Sequence, residues 1–226
     1  MSTRLAEQLP VMRKRPLQAR SRATVEAIVE AGARILSEGG WAEFTTNKVA
    51  ALAGVSIGSL YQYFPDKLSL VDAIRGQHLQ DCLAVMKGTR ADGLSPQQFA
   101  ASLVGNMIEV HSIHPGLHRV LLDEAPISEE DRDPNSAYEV EYLTCYAEAV
   151  ARYRQRQPTA EDRTIALIVS DAVDGVIHNA ARRSMLADEN IRRELVRLVA
   201  LYLSDGAAQG PTLAAGRPAR GRRTSG

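Results

Sequence analysis

FTTNKVAALAGVSIGSLYQYFPDKL, residues 44–68, is the stretch from which the rest of the chain can be read. Thr45 or Thr46 is placed to cap a short helix, its hydroxyl accepting from a backbone N–H that would otherwise be unpaired. Val49, Ala50, Leu52 and Ala53 then form one buried face. Gly54 closes that helix where the chain must reverse, and Val55 plugs the turn with an apolar side chain. Ser56 caps a second short helix, whose Leu60 and Phe64 face the core. Two short helices joined by a tight turn containing glycine make a helix-turn-helix. The second helix is expected to point Ile57, Ser59, Tyr61, Gln62 and Tyr63 outward. These are small, polar or phenolic groups suited to phosphate oxygens and base edges in a major groove. The alternative for Tyr61 and Tyr63 is to cover the rim of the core. Asp66 can cap the helix that follows, which puts Lys67 in its first turn. There both the lysine charge and the positive helix end attract a phosphate. Without an anion a lysine at that place is mildly costly, a local conflict of the kind binding sites tolerate.

Across three helices this stretch resembles the DNA-binding head of the tetracycline-repressor (TetR) family. A long first helix precedes Thr45 and Thr46, then Val49 and Ala50, then Ala53, Gly54, Val55 and Ser56, then Gly58, Leu60, Tyr61, Tyr63, Phe64 and Lys67. The resemblance covers roughly residues 20–75. It implies phosphate contacts for Thr46, Lys48, Tyr61, Tyr63 and Lys67, with Thr45 and Ser56 shaping the same face. Ile57, Ser59 and Gln62 would face the bases. Ile57 has no hydrogen-bonding group, so it would read apolar surface such as a thymine methyl.

Outward from this segment the signal is helical throughout. Val25, Ile28, Val29, Ala31, Ile35 and Leu36 recur at three- and four-residue steps over 17–39, the apolar stripe of a helix that Gly39-Gly40 would stop. Further helices are expected at 67–90, 96–113, 116–126, 135–156, 160–185 and 188–205, separated by Asp92-Gly93, His114-Pro115, Pro126, Pro134 and Pro158. No stretch alternates with β-branched enrichment. The fold class is therefore all-α, about nine helices, with a three-helix helix-turn-helix head and a helical body. The expected domains are a flexible basic arm at 1–16, the DNA-binding head at 17–75, a ligand-binding and dimerising body at 76–205 and a disordered tail at 206–226.

Composition bounds the class. With 226 residues, 45% of them hydrophobic, the chain has ample length for a core. No apolar run reaches the roughly 18 residues of a membrane span, and no apolar region follows the basic N-terminus, so a cytoplasmic protein without a membrane partner is expected. Cys82 and Cys145 lack any metal-type spacing and read as buried reduced thiols. The formal net charge is zero, but it is unevenly spread. Residues 1–24 carry six basic side chains and one acid, residues 123–148 nine acids and one arginine. A basic front and an acidic middle fit a molecule that presents one end to phosphate.

The resemblance implies that the last two long helices pair across a two-fold axis as a homodimer on a palindromic double-stranded operator. Their composition agrees. Ile165, Ile168, Ala172, Gly175 and Val176 on one helix, with Leu195, Val199 and Tyr202 on the next, offer more apolar surface than one chain would hide. A small-molecule effector is expected in a body pocket lined by Met107, His111, Tyr142, Asp174 or His178. His111, His114 and His118 sit on the middle helices, and Asp171, Asp174 and His178 share a later one. Convergence of such groups could also bind a metal. Histidines on amphipathic helices are more often core or surface residues, so neither a metal nor a cofactor is expected. The leading function is a ligand-released DNA-binding repressor, not an enzyme. The chain has no GxSxG, HExxH, P-loop or Rossmann glycine pattern. The alternatives are a hydrolase-like helical enzyme using the His/Asp cluster, and an architectural DNA binder without a sensor, whose body would be sealed.

Overall fold

The computed structural model describes residues 18–89, 92–127, 133 and 135–208. The basic arm expected at 1–16 and the tail from 209 onward lie outside the described residues. Among the described residues there are nine helices and no strand: α1 (Ala19–Glu43), α2 (Thr46–Leu52), α3 (Ile57–Tyr63), α4 (Lys67–Gly88), α5 (Pro96–Ser112), α6 (Leu117–Asp123), α7 (Ala137–Tyr153), α8 (Ala160–Arg182) and α9 (Glu189–Ala208). The last of these runs to Ala208, so 206–208, expected in the tail, are helical.

Local chemistry sets the boundaries. Of the two candidate caps before α2, Thr45 acts: its hydroxyl accepts from Lys48 N at 3.3 Å. Ser56 accepts from Ser59 N at 3.0 Å to start α3, and Asp66 from Ser69 N at 2.7 Å to start α4. The stop expected at Gly39-Gly40 is a break within α1. Gly40 takes φ 72°, a left-handed backbone that only glycine adopts at little cost, and one further turn then leads to Phe44. Gly54 does the same at φ 68° between α2 and α3.

The side chains gather into two cores. The first holds Val25, Ile28 and Leu36 of α1, Val49 and Ala50 of α2, Leu60 of α3, Phe44 and Phe64 at helix ends, and Leu70, Val71, Ala73 and Ile74 of α4. The second lies among α4, α5, α7, α8 and α9, around Leu83, Met86, Phe99, Leu103, Tyr146, Val173 and Val199. With 22 residues α4 extends about 33 Å at 1.5 Å per residue and serves both.

The short helix α6 also joins the first core, through Leu117, Val120, Leu121 and the following Ala125, although the sequence grouped it with the body. Its docking is close. A Cβ added to Gly116 would lie 2.1 Å from the Ser37 carbonyl oxygen near the end of α1, and Gly116 N donates to Ser37 Oγ at 3.2 Å. At the other end of α6, Glu124 accepts from Trp41 N at 3.0 Å, just past the Gly40 break. Arg182 of α8 pairs with Asp123, its Nε 2.8 Å from the carboxylate. Helix α6 is therefore clamped between the head and the body.

Candidate nucleic-acid interface and ligand cavity

Helix α3 has one buried and one open side. Leu60 is fully buried, while Ile57, Tyr61 and Gln62 are exposed and Ser59 is half-buried. On α2 the exposed Lys48 pairs with Glu43, and Thr46 Oγ1 shares a 3.1 Å hydrogen bond with Tyr61 Oη. That bond ties α2 to α3 and brings two of the expected phosphate ligands together.

Two expectations are corrected here, and the surroundings of a third residue, Lys67, come into view. Tyr63 does not point outward: it is only 8% exposed and belongs to the core, because its place at the last turn of α3 puts it on the Phe64 side. Leu52 is 48% exposed; in a seven-residue helix only Val49 and Ala50 fit beneath α1. Lys67 is half-buried, with Nζ 3.5 Å above the Trp41 ring and donating to the Trp41 carbonyl at 3.2 Å. A π face and a carbonyl answer the cation that sits awkwardly at a helix N-terminus, and burial lowers its pKa.

The body holds a partly open cavity of about 640 Å³ between α4, α6, α7 and α8, with α5 behind it. Leu79, Leu121, Leu122, Leu143 and Leu167 supply apolar wall. Opposed to them are two polar groups. In one, Tyr142 Oη donates to both carboxylate oxygens of Asp174, at 3.1 and 3.2 Å. Burial lifts the Asp174 carboxyl from 3.8 to about 7 and keeps the Tyr142 phenol neutral.

The other is a knot of four imidazoles from four helices: His78 (α4), His111 (α5), His118 (α6) and His178 (α8). His118 and His178 stack at 3.7 Å between centroids, and His78, His111 and His118 lie within 5.1 Å of one another, centroid to centroid. Burial, with the neighbouring rings second, pushes His78 down to about 3. Burial likewise lowers His178 to about 4 and draws His111 and His118 down. All four are therefore neutral at pH 7.

Of the five expected pocket residues, His111, Tyr142, Asp174 and His178 border the cavity. Met107 does not. It lies in the second core at 1% exposure and reaches the site only through its carbonyl, which accepts from His111 Nδ1 at 2.8 Å. His78 was missed, although Ile74, His78 and Cys82 follow at four-residue steps on one buried face of α4, a signal that a histidine points inward.

On the far side, α8 and α9 present an open apolar surface. Ile168 (45% exposed), Leu198 (50%), Leu201 (60%) and Tyr202 (38%) lie on it, with half-buried Ala172 and Val176, whereas Gly175, expected here, borders the cavity on another face of α8. Ile165, Leu195 and Val199, expected on this surface, are instead in the chain's own second core, because they sit on the inner faces of their helices.

This architecture has counterparts. Residues 28–74 match the model of bacterial regulatory proteins of the tetR family, and residues 95–203 match the tetracyclin repressor-like C-terminal domain. Together they cover more than two thirds of the chain. The chain belongs to the TetR family. Among its curated relatives is the HTH-type transcriptional repressor KstR of Mycobacterium tuberculosis, 29% identical over 76% of this chain and 78% of that protein. The nucleoid occlusion factor SlmA of Actinobacillus pleuropneumoniae is 26% identical over 54% of this chain and 58% of its own length. A TetR-family regulator of known structure from Streptomyces coelicolor shares the fold, with a TM-score of 0.59, 23% identity, and coverage of 80% of this chain and 98% of that one. This TetR-family chain is thus a DNA-binding transcriptional regulator. Its family and relatives are regulators, so the hydrolase alternative falls. Among the described residues no helix is long and apolar enough to cross a membrane.

Proposed function

We propose that this TetR-family regulator is a cytoplasmic, homodimeric repressor that binds a palindromic operator through α3 and is released when a small molecule enters the body cavity. The observation that carries the reading is α6. It borders the cavity through His118, Leu121 and Leu122, while Leu117 and Val120, together with Leu121, pack into the core of the head.

On DNA, Ile57, Ser59 and Gln62 face base edges, while Thr46, Lys48 and Tyr61 meet phosphates; Thr45 and Ser56 cap the two helices that carry them. Tyr63 and Lys67 serve that face from behind, as packing and as a cation held on Trp41. The dimer forms over Ile168, Ala172, Val176 and Tyr202, extended by Leu198 and Leu201. It sets two α3 helices on half-sites one helical turn, about 34–36 Å, apart. An effector with apolar bulk and a polar end for Tyr142 and Asp174 fits the walls. By favouring an α6 position that spreads the heads, it withdraws population from the DNA-competent spacing. A few kcal/mol of differential affinity suffices. A sensor-less architectural binder has no use for such a cavity.

The test is a gel shift on the DNA upstream of the chain's own gene at two salt concentrations, comparing wild type with Lys48→Ala plus Gln62→Ala. Tight, salt-sensitive binding that the double variant loses supports the reading. Each lost phosphate contact lowers the slope of log K against log salt by about 1. Affinity and slope unchanged in a folded double variant contradict it.

A further inference from the structure

We propose that His78, His111 and His118 form a binding site for a divalent transition-metal ion of the zinc class, with its open coordination position on the cavity. One ring nitrogen from each residue can be chosen so that all three lie within 4.8 Å of one another. Zinc–nitrogen bonds of about 2.0–2.1 Å require donor separations near 3.3 Å. His78 Nε2 and His118 Nδ1 are already 3.0 Å apart, and a modest tilt of the His111 ring closes the set.

The geometry around His111 points the same way. The Met107 carbonyl can only accept, so His111 Nδ1 carries the proton and the lone pair resides on Nε2. That Nε2 is buried without a hydrogen-bond partner in a residue only 3% exposed. A buried, unsatisfied ring nitrogen is costly. An imidazole whose far N–H donates to a backbone carbonyl is the usual supporting arrangement of a metal-bound histidine. The stacked His178 ring fixes the plane of His118, whose Nδ1 faces His78 Nε2.

The three donors come from α4, α5 and α6, and all three residues border the cavity. Three protein ligands leave tetrahedral zinc one position to fill, here by water or by an oxygen or nitrogen donor of a small molecule in the cavity. Because α4 and α6 also pack in the head core, the ion would tie the two cavity walls that hold α1. The sequence concealed the site, since the three histidines share no short motif.

The test titrates the full-length chain, stripped with a chelator, with Co²⁺ followed by its visible d–d absorption, and then with Zn²⁺ as competitor. The expected result is one equivalent per chain with the intense bands of tetrahedral cobalt, displaced by zinc. His111→Ala and His118→Ala, each shown folded by circular dichroism, should bind more than about 100-fold more weakly, beyond the 10–100-fold typical of losing a supporting contact. His114→Ala, outside the set, should bind as wild type. Absence of the bands at micromolar metal overturns the site, as does binding that survives both alanine variants. Since metal binding is read without DNA, failure here is distinguishable from failure of the repressor reading.

Discussion

Gly116→Ala tests the docking of α6 on the head. The added methyl would lie 2.1 Å from the Ser37 carbonyl oxygen and 3.0 Å from its carbon. Both are backbone atoms of α1, with no side chain to turn aside. Relief to ordinary contact requires α6 to retreat by about 1 Å or more, and overpacking of this kind costs about 1–3 kcal/mol. Gly88→Ala is the matched control, a helical glycine with nothing within 4 Å of the added Cβ. Alanine there should stabilise by about 0.5–1 kcal/mol. The assay is urea unfolding of wild type and both variants at one protein concentration, since dimerisation links stability to concentration. The expected outcome is opposite signs at unchanged m. Equal or higher stability for Gly116→Ala would refute the close α1–α6 contact, and with it the proposed route from cavity to head.

Other substitutions probe separate parts. Ser56→Ala removes the α3 cap and should cost about 1 kcal/mol, read in the same unfolding assay and as weaker DNA binding. Leu198→Glu with Leu201→Glu places charge on the open α8–α9 face; sedimentation should give a folded monomer that no longer shifts DNA, and a persisting dimer would exclude that face as the interface. Asp174 titrates near 7 in the fold against 3.8 as its ordinary value. Between those values the folded chain keeps a proton that the unfolded chain has lost, so this group makes stability fall as pH rises, by up to about 1.4 kcal/mol per unit. Asp174→Asn abolishes that fall. Its stability advantage over wild type should grow from pH 5 to pH 7 and level off above, and an advantage independent of pH would contradict the raised pKa.

What could be read in the sequence was local. The caps at Thr45, Ser56 and Asp66, the left-handed glycines 40 and 54, and the three- and four-residue apolar steps all act over one or two turns, so the nine helices follow from them. The errors lie where tertiary packing decides. Helical spacing left open whether Tyr63 covers the core or faces outward, and its burial in the head core settles it. Ile165, Leu195 and Val199 belong to apolar helices, but only the packing of α8 on α7 and of α9 on α5 turns them inward. The unfavourable place of Lys67 was visible, though its answer was not, because Trp41 reaches it from the end of another helix. The cavity was half legible. His111, Tyr142, Asp174 and His178 could be nominated as polar groups on apolar helices, whereas their meeting with His78 and His118 depends on five helices converging.

The most direct measurement for the whole reading is selection from a random double-stranded DNA pool by the folded full-length chain, followed by affinity measurement on the enriched sequences. The expected result is a two-fold symmetric motif with half-sites one helical turn apart, bound by wild type and released by Lys48→Ala plus Gln62→Ala. No enrichment, or an enriched sequence without symmetry that the double variant binds equally well, would contradict it.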